Sequence, residues 1–472
     1  MKSRVRNILS LTALLCLLAM LSCTKTITKT EVVIRHNHVH AHIMMTFGAS
    51  PGNNNIDSFL KSNIREMENN YIPDEGDEEN MLFLYSQFLG KDGKTAAPTL
   101  TRVYRNKAGD ITRVNVMTFS VEDIANTGDN ITRVLNCIRD KYHADSYGLI
   151  ISSHGTGWAP PGYSLDPSKF EQTESSESDI KFEFTARGKK FSSRLSPYKE
   201  PEDGPVTKSI GLTSVDGKLS RETDIRELAA AIPYKMEYII FDACFMGGVE
   251  VAYELKDKCR WLCASQTEIL GAGMDYSRML RHLLQSPRDP KAVCEDFYNL
   301  YAGKSGWEQS ATISMVDCSR LDALAAVCRQ IFRAHNISFS ECNETKLQKY
   351  FRYQAHMWFY DLKSVVIAAG ADEIEIADLD WALSQCVAYN EATEYFMTGY
   401  KGFPITCHSG LSMYLPYPER AYLNDYYKTL AWNEATGQTV LAFPERARLG
   451  LRQAFDNGRT PDDLKAVLRK TA

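Results

Sequence analysis

A cysteine and a histidine, each closing an apolar run and each leading into a glycine-containing turn, are the residues of this chain best placed to do chemistry. Cys244 lies in Tyr238-Ile-Ile-Phe-Asp-Ala-Cys-Phe-Met-Gly-Gly-Val-Glu-Val-Ala-Tyr-Glu254. The pattern reads as a short buried strand, a glycine-permitted turn and then a helix. It sets the sulfur at the strand's carboxyl edge near a helix N-terminus, a position that lowers a thiol's pKa and leaves it accessible, as a nucleophile requires. His154 repeats the design upstream, at the end of Tyr147-Gly-Leu-Ile-Ile-Ser-Ser-His-Gly-Thr-Gly-Trp158. Parallel strands bring such ends together at one edge, where α/β proteins place their sites, so His154 is the natural partner of a Cys244 thiolate. Gly155 and Gly157 let the backbone approach a substrate closely, and the amides of Gly155 and Cys244 are candidate oxyanion donors. Asp242 shares Cys244's side of its strand, where an acid can select a basic substrate side chain. Each residue alone is more often core packing or a turn; the matching strand ends are what point to a cysteine-nucleophile enzyme.

The elements that must position these residues follow from periodicity. Asp57 caps a helix over 58–69, and Met81 to Phe88 is an apolar strand. Leu100 to Arg105 and Ile111 to Val114 form a hairpin around Asn106-Lys-Ala-Gly-Asp110. Ile131, Val134, Leu135 and Ile138 make one stripe of an amphipathic helix over 130–141. Strand–helix alternation at this spacing predicts an α/β fold, a mostly parallel sheet flanked by helices. Further strands are expected at Trp261 to Ser265 and Ala311 to Val316, with a helix over 319–335 between the second of these and a mainly helical C-terminal region. In that region Thr345 to Val366 and Ile376 to Glu394 are expected to be helical, with a late strand at Gly410 to Leu415. Residues 159–210, rich in Pro, Ser, Glu and Lys, read as an exposed insertion between the two halves of the site. In Arg35 to Met45, His36, His38, His40 and His42 alternate at period two, with Val39, Ala41 and Ile43 on the opposite face. A transition-metal site is conceivable there, but neighbours along one strand close a tetrahedron poorly, so a solvated edge-strand face is the expectation.

Composition bounds the function. The 472 residues carry a net charge of −5 and no long basic block, which argues against nucleic acid as a partner. Lys2, Arg4 and Arg6 precede an apolar stretch from Ile8 to Met20 and then Leu21-Ser22-Cys23, the layout of an export signal. Beyond Cys16 and Cys23, ten cysteines are scattered, and the close pair Cys259-x-x-x-Cys263 lacks the second pair that a zinc site needs.

The chain resembles the clostripain-like cysteine peptidases, whose fold is related to that of caspases, gingipains and legumain. Tyr147 to Trp158 looks like the family's histidine block, Phe241 to Gly247 like its nucleophile block, and Ala264 to Gly273 like the loop that follows. Asn53-Asn54-Asn55, Tyr360-Asp361-Leu362 and Gly410 to Pro416 occur in the right order, so the resemblance runs from about Ile43 to about Trp432. It implies an endopeptidase with a Cys244–His154 dyad that cleaves after Arg or Lys. Cys244 is then the nucleophile, His154 the acid to the leaving amine, Gly155 and Cys244 the oxyanion donors, and Asp242 the acidic base of the specificity pocket. Relatives often have an acidic or polar residue where this chain has Ala272, and Asp275 is the nearby candidate to substitute. Such enzymes often cut themselves between the two blocks, and the Lys181 to Arg194 stretch is where that cut is expected. No cofactor is required by the residues; calcium enters through the resemblance alone.

The N-terminus likewise resembles a bacterial lipoprotein signal, with Cys23 as the lipidated first residue of the mature protein; a plain secretory signal is the alternative. The expected layout is a signal at 1–23, a tether at 24–34, a caspase-like catalytic domain at 35–316 and a C-terminal region at 317–472 packing on it. The whole reads as an exported, lipid-anchored cell-envelope peptidase acting on peptides or proteins. The rival is a catalytically silent envelope lipoprotein that binds peptide or a protein partner, or a peptidase of other specificity.

Overall fold

A computed structural model describes residues 38–48, 56–164, 167, 170–171, 205–208, 222–338, 340–352, 359–417 and 420–439, with the backbone of short strands at 181–186, 189–194, 214–215 and 218–219. The expected signal with Cys23, the expected tether, His36 and Asn53 to Asn55 lie outside the described residues.

Nine strands form one sheet: β1 (His40–Phe47), β2 (Asn80–Gln87), β3 (Thr99–Arg105), β4 (Ile111–Met117), β5 (Ser146–Ser153), β6 (Met236–Asp242), β7 (Cys259–Ala264), β8 (Thr312–Asp317) and β9 (Val387–Ala392). Their order is β9-β8-β7-β6-β5-β1-β2-β3-β4. The centre, β7 through β2, is parallel, and both margins are antiparallel. The sheet is therefore the helix-flanked, mostly parallel one that the strand–helix alternation predicts. The chain builds outward from β1 to β4 on one side and from β5 to β7 on the other. The reversal of direction falls between β1 and β5, the kind of switch point beside which open α/β sheets place their ligands.

Helices α1 (Asp57–Asn70), α2 (Gly128–Lys141), α3 (Ile225–Ala231), α4 (Val249–Glu254), α5 (Pro290–Ala302), α6 (Leu321–Ala334) and α7 (Glu373–Cys386) accompany the strands. The predicted stripe of α2 is buried as read, and Thr127 caps the helix by accepting from the Asn130 amide.

Three expectations change. The segment 345–366 is not one helix. A single turn at Glu344–Lys346 is followed by non-helical chain over 347–352, and beyond it come the two-residue strand Tyr360–Asp361 and a helix that begins only at Leu362. Tyr350, Phe351, Phe359 and Tyr360 are all buried there, and their burial overrides local helical preference. The helix expected over 376–394 ends at Cys386, and Val387–Ala392 joins β8 as the sheet's last strand. The late strand is only Ser412–Met413, paired with Tyr360–Asp361.

The histidine run is also corrected. β1 is a central strand hydrogen-bonded to β2 and β5, not an edge, so His40 and His42 are fully buried. His42 is held as the neutral ring. Asn80 Oδ1 accepts from its Nε2 at 3.0 Å, while the Asn80 amide nitrogen donates to the Leu284 carbonyl, and Nδ1 accepts from the Tyr238 hydroxyl at 2.6 Å. Tyr238 reaches it over Gly148, where an added Cβ would lie 2.0 Å from the tyrosine ring. Burial pushes the His42 pKa down to about 3. In the unfolded chain it returns to the usual value near 6.5, so its contribution to stability is complete above pH 6.5 and shrinks as pH falls toward 3. A urea-midpoint series from pH 7.5 to 5 is expected to show an extra loss of about 2 kcal/mol at pH 5 that His42→Gln lacks. Equal slopes for the two proteins would contradict this.

Candidate active site

β5 and β6 pair directly, with Ser152 opposite Asp242. Two residues further along each chain, past the carboxyl ends of the two strands, stand His154 and Cys244. The two turns touch. An added Cβ on Gly155 would fall 2.4 Å from the Cys244 carbonyl and 3.1 Å from its amide nitrogen, so only glycine fits there. Directly after the sulfur, Phe245 adopts φ +62°, a left-handed conformation disfavoured for a bulky residue. Tertiary contacts hold it: its ring stacks on Phe359 at 4.7 Å and meets Phe351 edge-on at 5.3 Å. The C-terminal region thus braces the turn that follows Cys244. Trp158, at the end of the histidine block, is buried against Tyr414 and Tyr427 from the same region.

The thiol is neither exposed nor at a helix start. Cys244 is fully buried, and α4 begins only at Val249. Its Sγ accepts from the Ile269 amide at 3.0 Å. Burial, and then the Glu268 carboxylate, push the thiol's pKa well above its usual range, against the opposing pull of the Ile269 amide and the Lys208 ammonium. The expectation of an accessible, acidified thiol is corrected for this state of the chain, because a neighbouring segment lies across the strand ends.

That segment is Pro205 to Lys208, from the end of the insertion. It pairs with the loop after β7 as a short antiparallel ribbon. Gly271 N donates to Val206 O and Lys208 N to Ile269 O, each at 2.8 Å, with Thr207 bridged to Leu270. Gly155 N donates to the Lys208 carbonyl at 2.9 Å. The Lys208 side chain, fully buried, enters a closed pocket. There its ammonium meets the Asp242 carboxylate and donates to Ser152 Oγ at 3.1 Å. Asp242 Oδ2 also accepts from Ser152 Oγ at 2.7 Å and from the Tyr276 hydroxyl at 2.6 Å. Burial pushes the Lys208 pKa down, and Asp242 opposes it. Gly273, at φ +75°, forms the wall, since an added Cβ there would lie 2.5 Å from both Asp242 Oδ2 and Lys208 Nζ.

Of the predicted site residues, Gly155, Asp242 and Cys244 all meet the Lys208 segment, and His154 stands next to Gly155 in the chain. Asp275 is not a partner of this lysine; its carboxylate takes the Ser277 hydroxyl instead. Ala272 is exposed. The described segment in the site is Lys208's; in the Lys181 to Arg194 run, strands Lys181–Ala186 and Lys189–Arg194 pair with each other. Ser152, Tyr276 and Lys208 escaped the sequence reading. The first two were legible only as neighbours of blocks already chosen, and Lys208 is one of several basic residues in a polar stretch. Among the described residues no group of three His, Cys, Asp or Glu could hold a metal ion.

Comparison with known proteins decides what this geometry belongs to. The Clostripain family, peptidase C11, matches residues 50–170 and 196–441, most of the chain. The chain belongs to the clostripain family. Membership makes it a cysteine endopeptidase, a hydrolase of peptide substrates, and sets aside the silent binding protein. No curated protein matches it. Among solved structures it is similar to an inactive zymogen C11 protease from Parabacteroides distasonis, at 22% identity and TM-score 0.62, covering 84% of this chain and 97% of that one. It is also similar to a secreted C11 cysteine protease from Bacteroides thetaiotaomicron, at 24% identity and TM-score 0.63, covering 84% and 99%. A further similar structure is a secreted C11 protease from the same organism in complex with an irreversible peptide inhibitor, at 19% identity and TM-score 0.62, covering 84% and 98%. At these identities the likeness establishes the fold.

Proposed function

We propose that this clostripain-family chain cleaves peptide bonds after lysine or arginine through a Cys244–His154 dyad, and that its own Lys208–Ser209 bond is its first substrate. One observation carries the reading: a lysine seated in a closed acidic pocket with its carbonyl on the Gly155 amide. A peptide bond carbonyl held there is polarised by a backbone donor beside the nucleophile. As Cys244 Sγ attacks that carbon its proton passes to His154, and negative charge builds on the oxygen facing Gly155. Collapse breaks the C–N bond, His154 supplies the proton to the leaving amine, and water then hydrolyses the thioester. Asp242 explains the choice of a basic side chain, because a buried carboxylate without a cation opposite it is strongly disfavoured. The Lys208 segment also explains the covered thiol, which a cut after Lys208 would free the segment to expose. The reading includes export and a lipid anchor on Cys23, supported by the basic, apolar and Leu-Ser-Cys pattern of residues 1–23.

Mass spectrometry of the purified protein after incubation tests the self-cleavage. The wild type is expected to yield two fragments broken after Lys208, while Lys208→Ala stays intact at that bond. A break within 181–194 instead, or an intact wild type that turns over lysine peptides, would overturn the Lys208 assignment.

A further inference from the structure

The residue before Lys208 is held as closely as Lys208 itself. Thr207 is fully buried, and its hydroxyl donates to Glu268 Oε1 at 3.1 Å. Glu268, only 1% exposed, sits on the loop after β7, one residue before the Ile269 that contacts Cys244 Sγ. Its carboxylate is gripped by Arg352, itself 4% exposed: Nη2 donates to Oε1 at 2.8 Å and Nε to Oε2. Arg352 Nη1 is anchored on the Tyr400 carbonyl at 2.9 Å. The guanidinium thus fixes the carboxylate in one plane and leaves acceptor capacity on Oε1 pointing at the substrate-like strand.

We propose that Glu268, positioned by Arg352, is a specificity-determining residue of this peptidase, selecting a small hydroxyl side chain, threonine or serine, immediately before the basic residue at the cleaved bond. This rests on reading residues 205–208 as a bound substrate segment. Valine has the shape of threonine but offers no proton, so it would bury an acceptor of a charged group without the bond. A site built to receive a hydroxyl rejects the isostere lacking it far better than an apolar pocket rejects an added hydroxyl. Hydrogen bonds to charged groups set the scale at about tenfold to a hundredfold in kcat/KM.

The test uses the purified full-length protein after incubation and four fluorogenic peptides: Pro-Val-Thr-Lys, Pro-Val-Ser-Lys, Pro-Val-Val-Lys and Pro-Val-Thr-norleucine. The threonine and serine peptides are expected to exceed the valine peptide at least tenfold in kcat/KM. In the double variant Glu268→Leu with Arg352→Met, which removes both charges together, that ratio is expected to fall to within about threefold while lysine remains preferred over norleucine. Equal turnover of Pro-Val-Thr-Lys and Pro-Val-Val-Lys by the wild type overturns the proposal even if the double variant does not fold. A tenfold ratio that survives in a folded double variant overturns the assignment to Glu268. Absence of turnover with every lysine peptide, or equal turnover of the norleucine peptide, removes instead the reading on which the proposal rests, and the proposal with it.

Discussion

Cys244→Ala is expected to lower kcat on lysine peptides by at least about four orders of magnitude, to the residual rate that binding and the oxyanion donor alone supply. The reason is chemical rather than structural. The substitution deletes the only atom that can form the thioester, and it leaves Gly155, Asp242 and the pocket in place. The lost Sγ contact with the Ile269 amide and the small void left behind cost about 1 kcal/mol, within the ordinary range for a point change. The variant should therefore fold, keep Lys208 in the pocket, and remain uncut after prolonged incubation. Burst kinetics with an ester substrate, alongside circular dichroism of both proteins, would separate the two outcomes. Turnover by Cys244→Ala within a hundredfold of wild type would show that another group is the nucleophile.

Asp242→Asn carries the second largest effect. Aspartate and asparagine have the same shape, so the hydroxyls of Ser152 and Tyr276 keep a partner and the pocket keeps its walls. What disappears is the charge opposite a buried ammonium. Breaking a buried ion pair by removing one partner costs about 3–5 kcal/mol, equivalent to a loss of roughly a hundredfold to a few thousandfold in kcat/KM for lysine and arginine peptides. A norleucine peptide, which brings no charge, should lose little, so the lysine-to-norleucine ratio is the diagnostic quantity. The uncut chain faces the same penalty at Lys208, and its segment is expected to leave the pocket more readily. A variant whose lysine preference is unchanged would move the specificity determinant away from Asp242.

The parts of the site legible in the sequence are those that local pattern dictates. Cys244 and His154 stand out because each ends an apolar strand and meets glycine. Asp242 follows from the two-residue period that puts it on the sulfur's side of its strand. The α/β class followed from strand–helix alternation, and the hairpin at 99–117 from its turn residues. The resemblance added the order of the blocks and the reaction.

What periodicity could not say is which segments meet. The same alternation in residues 38–43 fits an edge strand or a central one, and only pairing on both sides of β1 made His40 and His42 interior residues. The 345–366 stretch has helical composition, yet Phe351 and Phe359 pack against Phe245 in a conformation that it would not hold alone. Glu268 and Arg352 lie far apart in sequence, and a charge pair has no signature until the chain closes the distance. Lys208 is the sharpest case. In the sequence it is one basic residue in a polar insertion. In the fold, backbone pairing with residues 269–271 carries its side chain onto Asp242 and its carbonyl onto Gly155. The sequence by itself singled out Cys244, His154 and Asp242 as the candidate residues, because strand period and turn chemistry are local. Tertiary structure decided what those groups face, because burial and ion pairing depend on which distant segment arrives.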